Sequence, residues 1–177
     1  MSDPQPAWHE WLSSLDVPRK AAAESPRAQF SALGVTDPVD LIKSEVVEEL
    51  PQLARFVLLR SLWRGAIDGW SDPGSLDQLP AAQRLLAAGA DKEDLVRLVR
   101  AVAHEAVFVT LDELDAGGDV NVSGVEAGWV VMESGEDGSP TGRVLSGLHE
   151  DLLAMGIPAV ARELTFGGEV GPSDWLT

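Results

Sequence analysis

The sequence predicts an α+β fold in which a helical N-terminal two-thirds packs on a small antiparallel β-hairpin or sheet formed by the C-terminal third. Three observations carry this reading. Apolar residues recur at helical spacing from Trp8 to Val109, as on helices with one buried face. Beyond Gly117-Gly118 the pattern changes to alternation at Val120 and Val122 and to the compact β-prone run Trp129-Val130-Val131-Met132. No Gly/Ser-rich or Pro-rich linker divides the 177 residues, and no internal repeat is visible. A single domain over 1–177 follows, because a chain of about 150 residues already buries roughly 70% of its unfolded surface. Its helical part covers about 1–116, its strand-containing part about 119–166 and a tail 167–177.

Taken in order, Trp8, Trp11, Leu12 and Leu15 share one face of a first short helix. Ser25-Pro26 reads as the start of a second, anchored by Phe30 and Leu33 and stopped at Gly34. Thr36-Asp37-Pro38 opens a third, with Val39, Ile42, Val46 and Leu50 on its inner stripe and an end near Pro51. From Gln52 to Asp68 apolar residues leave little room for a polar side, which places this helix centrally, with Arg55, Arg60 and Arg64 extending their heads to water or to carboxylates from elsewhere in the fold. Gly69 to Gln78 is rich in turn residues, and Pro80 to Ala88 forms a short helix stopped by Gly89. Asp91 caps a long helix on which Leu95, Leu98, Val99, Val102, Ala106 and Val109 are expected to be the buried stripe. Its end, Val107 to Leu111, is β-prone in composition, and Gly117-Gly118 closes it. Strands are expected at 119–123, 128–134 and 143–145, around a turn at Glu136 to Gly142. Leu148 to Met155 is a short helix before Gly156, and Glu163 to Phe166 a final strand.

Charge is distributed unevenly along this scaffold. The formal net charge is −16, and Ala101 to Gly142 carries Glu105, Asp112, Glu113, Asp115, Asp119, Glu126, Glu133, Glu136 and Asp137 without one Lys or Arg. Such a chain repels phosphate backbones and anionic lipid, so direct nucleic-acid and membrane binding are disfavoured and a basic protein partner is favoured. The alternative is internal neutralisation of the acidic C-terminal half, residues 101–177, by Arg55, Arg60, Arg64, Arg97 and Arg100. With 45% apolar and 24% charged residues, the acidity does not imply disorder. The absence of Cys excludes disulfides, thiolate metal sites and cysteine nucleophiles. The opening residues lack a secretion-signal pattern and no run of about 18 apolar residues occurs, so the expectation is a cytoplasmic protein.

Sites for chemistry are sparse. Phosphate-binding glycine loops, the Gly-x-Ser-x-Gly elbow and zinc-finger spacings do not occur, which lowers the expectation of an enzyme, and no cofactor is expected. His104 falls on the polar side of the long helix in this reading, a candidate base beside Arg97 and Arg100 or simply a solvated residue. His149, Glu150 and Asp151 are consecutive on a helix and point about 100° apart, so they do not converge; His149 is the better candidate there. Asp112 and Asp115 share a helix face and, with Glu113 and Asp119, are candidates for a divalent ion or a plain acidic rim. Asp119 to Gly124 opens like a calcium loop, but Val130 stands where its last carboxylate belongs.

Three functions follow from these features. The first is a small acidic interaction protein, inhibitor-like or nucleic-acid-mimic-like, presenting Asp112, Glu113, Asp115, Asp119, Glu133, Glu136 and Asp137 with Trp70 and Trp175 as aromatic anchors. The second is a metal-dependent enzyme built on Asp112, Asp115 and Asp119 with His104 or His149 as base. The third is an adaptor that homodimerises through the apolar helix at 52–68.

Overall fold

Asp16, not Ser25, starts the second helix. Its carboxylate accepts the Arg19 amide at 2.9 Å and Pro18 sits in the first turn, which together satisfy an N-terminus. The computed structural model describes residues 4–118 and 127–155, and in it α1 spans Pro4–Ser14 and α2 runs unbroken from Val17 to Ala32. Pro26 lies inside α2, because Ala23 and Phe30 on either side of it are fully buried and hold the helix through the missing hydrogen bond. The stop falls as expected, with Gly34 at φ 85°. α3, Val39–Val47, ends earlier than Pro51 because Glu49 adopts φ 58° and turns the chain.

α4, Gln52–Leu62, supplies both halves of the core. Leu53 and Phe56 join Trp8, Ala23, Phe30 and Ile42, while Leu58, Leu59 and Leu62 join Ile67, Leu111, Leu145, Leu148 and Leu152. Arg27 lies over the Trp8 ring at 4.4 Å, so the N-terminal cluster is closed by a cation on an aromatic face. After Leu62 the helix widens into a single π turn, Trp63–Ile67, and then tightens into a 3₁₀ turn, Asp68–Ser71. α5 is Pro80–Ala87. α6, Lys92–Ala116, is capped by Asp91 through the Asp94 amide at 3.0 Å and closed by Gly117 at φ 71°. Its β-prone Val107-Phe108-Val109 stretch is helical, because Val107 and Phe108 pack into the core on that turn.

The C-terminal part holds β1, Met132–Ser134, paired antiparallel with β2, Pro140–Val144, and then α7, Leu148–Ala154. β1 is the last part of the strand expected at 128–134. Trp129 is drawn instead to the end of α6, its amide donating to the Gly117 carbonyl at 2.9 Å. β2 starts at Pro140, ahead of the expected 143–145, because the turn closes at Ser139 with the Gly135 amide donating to its carbonyl. The expected strands at 119–123 and 163–166, the stop at Gly156 and the tail lie outside the described residues.

At the α6 exit two backbones nearly touch. A Cβ on Gly128 would stand 2.6 Å from the Gly117 carbonyl oxygen, backbone that has no side-chain freedom to yield. Gly128→Ala is therefore expected to cost about 1–3 kcal/mol, read as a lowered urea midpoint with an unchanged m-value.

Candidate functional site

Burial along α6 is rotated from the sequence reading. Its inner face carries His104, Leu111, Val107, Phe108, Leu114 and Asp115, whereas Leu98, Val102, Ala106 and Val109 face solvent. Leu98 is 51%, Val102 61% and Val109 48% exposed. The two stripes differ because the π turn places Trp63 against α6, where its ring meets His104 edge-on at 5.9 Å. His104 is accordingly not on a solvated face. It is 4% exposed, and burial lowers its pKa against a weaker opposing effect of Glu105.

Three of the candidate residues, Asp112, Asp115 and His149, are brought together. Asp115 Oδ2 accepts both the His149 amide at 3.2 Å and the Nδ1–H at 2.7 Å, and Asp112 Oδ1 stands 3.8 Å from Nε2. Phe108 closes the ring's edge at 5.7 Å. The hydrogen bond that the ring donates to Asp115 raises the His149 pKa, opposed by partial burial and aided by the charges of Asp112, Asp115 and Glu150. Because Gly147, at the N-cap of α7, has no side chain to offer, Asp115 caps α7 from the neighbouring helix. Arg55 completes the clasp, reaching Asp151 Oδ2 at 2.5 Å and the Gly147 carbonyl. As expected, the neighbours His149, Glu150 and Asp151 do not converge: His149 turns to Asp115, Asp151 to Arg55, and Glu150 to solvent. Among the described residues no group of three or more His, Asp or Glu side chains is placed to hold a metal ion.

The other candidates separate. Glu133 is engaged by Arg143 at 3.2 Å. Asp137 accepts the Ser139 amide and hydroxyl, which hold its carboxyl below the usual range. Glu113 and Glu136 are exposed. Trp70 is half-buried beside the 3₁₀ turn, its carbonyl accepting the Ser75 hydroxyl at 2.7 Å. Asp119 and Trp175 lie outside the described residues. Of the arginines expected as internal counterweights, Arg55 does neutralise an acid of the C-terminal half, Asp151, whereas Arg97 pairs with Asp94, Arg100 with Asp68, and Arg60 donates to the Leu33 carbonyl. Arg64 is exposed.

Sequence reasoning missed Trp129 and Arg143. Trp129 is 45% exposed and donates its indole N–H to the Glu113 carbonyl at 2.9 Å, seating the ring beside the last turns of α6. Its tryptophan identity within a β-prone run was the available signal. Arg143 was signalled only by being the sole Lys or Arg between 101 and 161.

An open, mainly apolar groove of about 820 Å³ runs between α2, α4 and β1, bordered by Leu33, Val57 and Met132. No helix among the described residues is long and apolar enough to cross a membrane. No protein-family model, curated protein or solved structure matches this chain.

Proposed function

We propose that the protein is a small acidic binding protein for a basic protein partner. The observation that carries this reading is the placement of the charges. Glu105, Asp112, Glu113, Glu136 and Asp137 are exposed, and among the described residues no Lys or Arg forms an ion pair with any of them. Exposed carboxylates without a Lys or Arg partner raise the encounter rate with cations and suppress binding of anionic partners. The metal-dependent enzyme has less support, since one Asp115 oxygen is spent on two His149 donors. The adaptor that dimerises through residues 52–68 has less as well, because α4 is largely spent on both core clusters.

The test is kinetic. Stopped-flow association with a panel of cationic proteins should give rate constants that fall steeply as ionic strength rises. Reversing Glu105, Glu113, Glu136 and Asp137 together to Lys should slow the low-salt rate by about tenfold or more. Rates indifferent to salt and to these substitutions for every cationic protein tried would defeat the proposal.

A further inference from the structure

Exposed aliphatic residues are ordinary on a protein surface when scattered singly. On α6 they are not scattered. Leu98, Val102, Ala106 and Val109 follow one another at four, four and three residues, which is one straight ridge of an α-helix. Trp129 continues the ridge at its C-terminal end, fixed there by the bond from its indole to the Glu113 carbonyl. The opposite face of α6 is already occupied by the π turn, the 3₁₀ turn and α7.

We infer that this ridge docks one amphipathic helix of the partner, whose apolar stripe is flanked by Lys or Arg. The inference rests on the binding function proposed above and names the surface and the form of the partner. Leu98 to Val109 spans about 16 Å at 1.5 Å per residue, the length of about three helical turns. A helix laid along such a ridge places its own i, i+4 and i+7 side chains against it. Flanking charge selects the sign: Glu105, Asp112 and Glu113 border the ridge, and residues 101–142 contain no Lys or Arg. A second copy fits less well, because it would set acid against acid.

The test uses the full chain and three synthetic 18-residue peptides, read by calorimetry and fluorescence anisotropy. One is a helix with a leucine stripe flanked by lysines, one has the same stripe flanked by glutamates, and one has the lysine composition scrambled to remove the stripe. The lysine helix is expected to bind, and the other two to bind at least about tenfold more weakly. Val102→Asp and, separately, Val109→Asp should each weaken the lysine helix by about tenfold or more, with circular dichroism unchanged because both side chains are exposed. If lysine helix and scrambled peptide bind equally, or neither variant matters, the ridge is not the docking surface, while binding to cations survives. If no basic peptide and no cationic protein binds, the underlying function fails too. A dimeric mass abolished by Val102→Asp would assign the ridge to a second copy and overturn the inference.

Discussion

Arg143→Met is expected to destabilise the protein by about 2–3 kcal/mol, the cost of leaving a buried carboxylate without its half-exposed cationic partner. Arg143 projects from β2 into the junction between α3 and α4. Its guanidinium pairs with Glu45, donates to the Leu50 carbonyl at 2.6 Å and the Glu49 carbonyl at 3.2 Å, and also pairs with Glu133 on the neighbouring strand. The Glu45 side chain is 8% exposed, so without the guanidinium its charge stays buried with only the Leu53 amide as a donor. The loss therefore comes chiefly from stranding Glu45, and relief should follow from neutralising it. The double variant Glu45→Gln/Arg143→Met is expected to recover at least about 1 kcal/mol relative to additivity, because residues in one network couple. Urea denaturation of the parent, both single variants and the double variant measures this directly. An additive cycle would mean that the pair is too well solvated to matter.

Local chemistry was readable: Asp91 with Asp94 forecast the start of α6, Gly34, Gly89 and Gly117 the left-handed stops, and Trp8, Trp11 and Leu12 a common inner face. These features depend on residues within about one helical turn of one another. Where two signals competed, tertiary burial decided. Ser25-Pro26 has the form of a helix start, yet Ala23 and Phe30 on either side are buried together and α2 continues.

The face of α6 failed for a different reason. Apolar residues occur nearly all round this helix, so periodicity alone supports two stripes. The choice was made by the π turn at Trp63–Ile67, which no local pattern announces. His104 was misplaced by the same rotation. At the candidate site, the i,i+3 relation of Asp112 and Asp115 was legible from spacing. Their meeting with His149, 34 residues beyond Asp115, required α7 to fold back on α6. The error on α6 is also what exposes the docking ridge: residues that read as core stand outside, bordered by acids.

Removing the carboxylate that joins α6 to α7 should produce the second large effect. Asp115→Ala takes the acceptor from two donors at the start of α7, the His149 amide and ring N–H, in a site where the Asp115 side chain is only 9% exposed. A loss of about 2–3 kcal/mol is expected for leaving such donors unpaired. Asp115→Asn keeps an acceptor for the amide and should cost less, while removing the charge-assisted bond that raises the His149 pKa. In that variant the His149 proton resonances should titrate closer to the ordinary 6.5. The sign of the stability change follows from linkage. A raised folded pKa means that the His149 contribution is full below about 6.5 and disappears as pH rises through the folded value. His104 works in the opposite sense. Its lowered folded pKa leaves stability intact above 6.5 and removes it as pH falls toward the folded value. Between pH 8 and 5 the two histidines offset one another, so the parent should show a shallower pH dependence than either single variant. His149→Asn should lose stability as pH falls over that range, and His104→Leu should gain it. Chemical denaturation at four or five pH values separates the slopes. Parallel slopes in both variants would show that neither imidazole couples its protonation to folding.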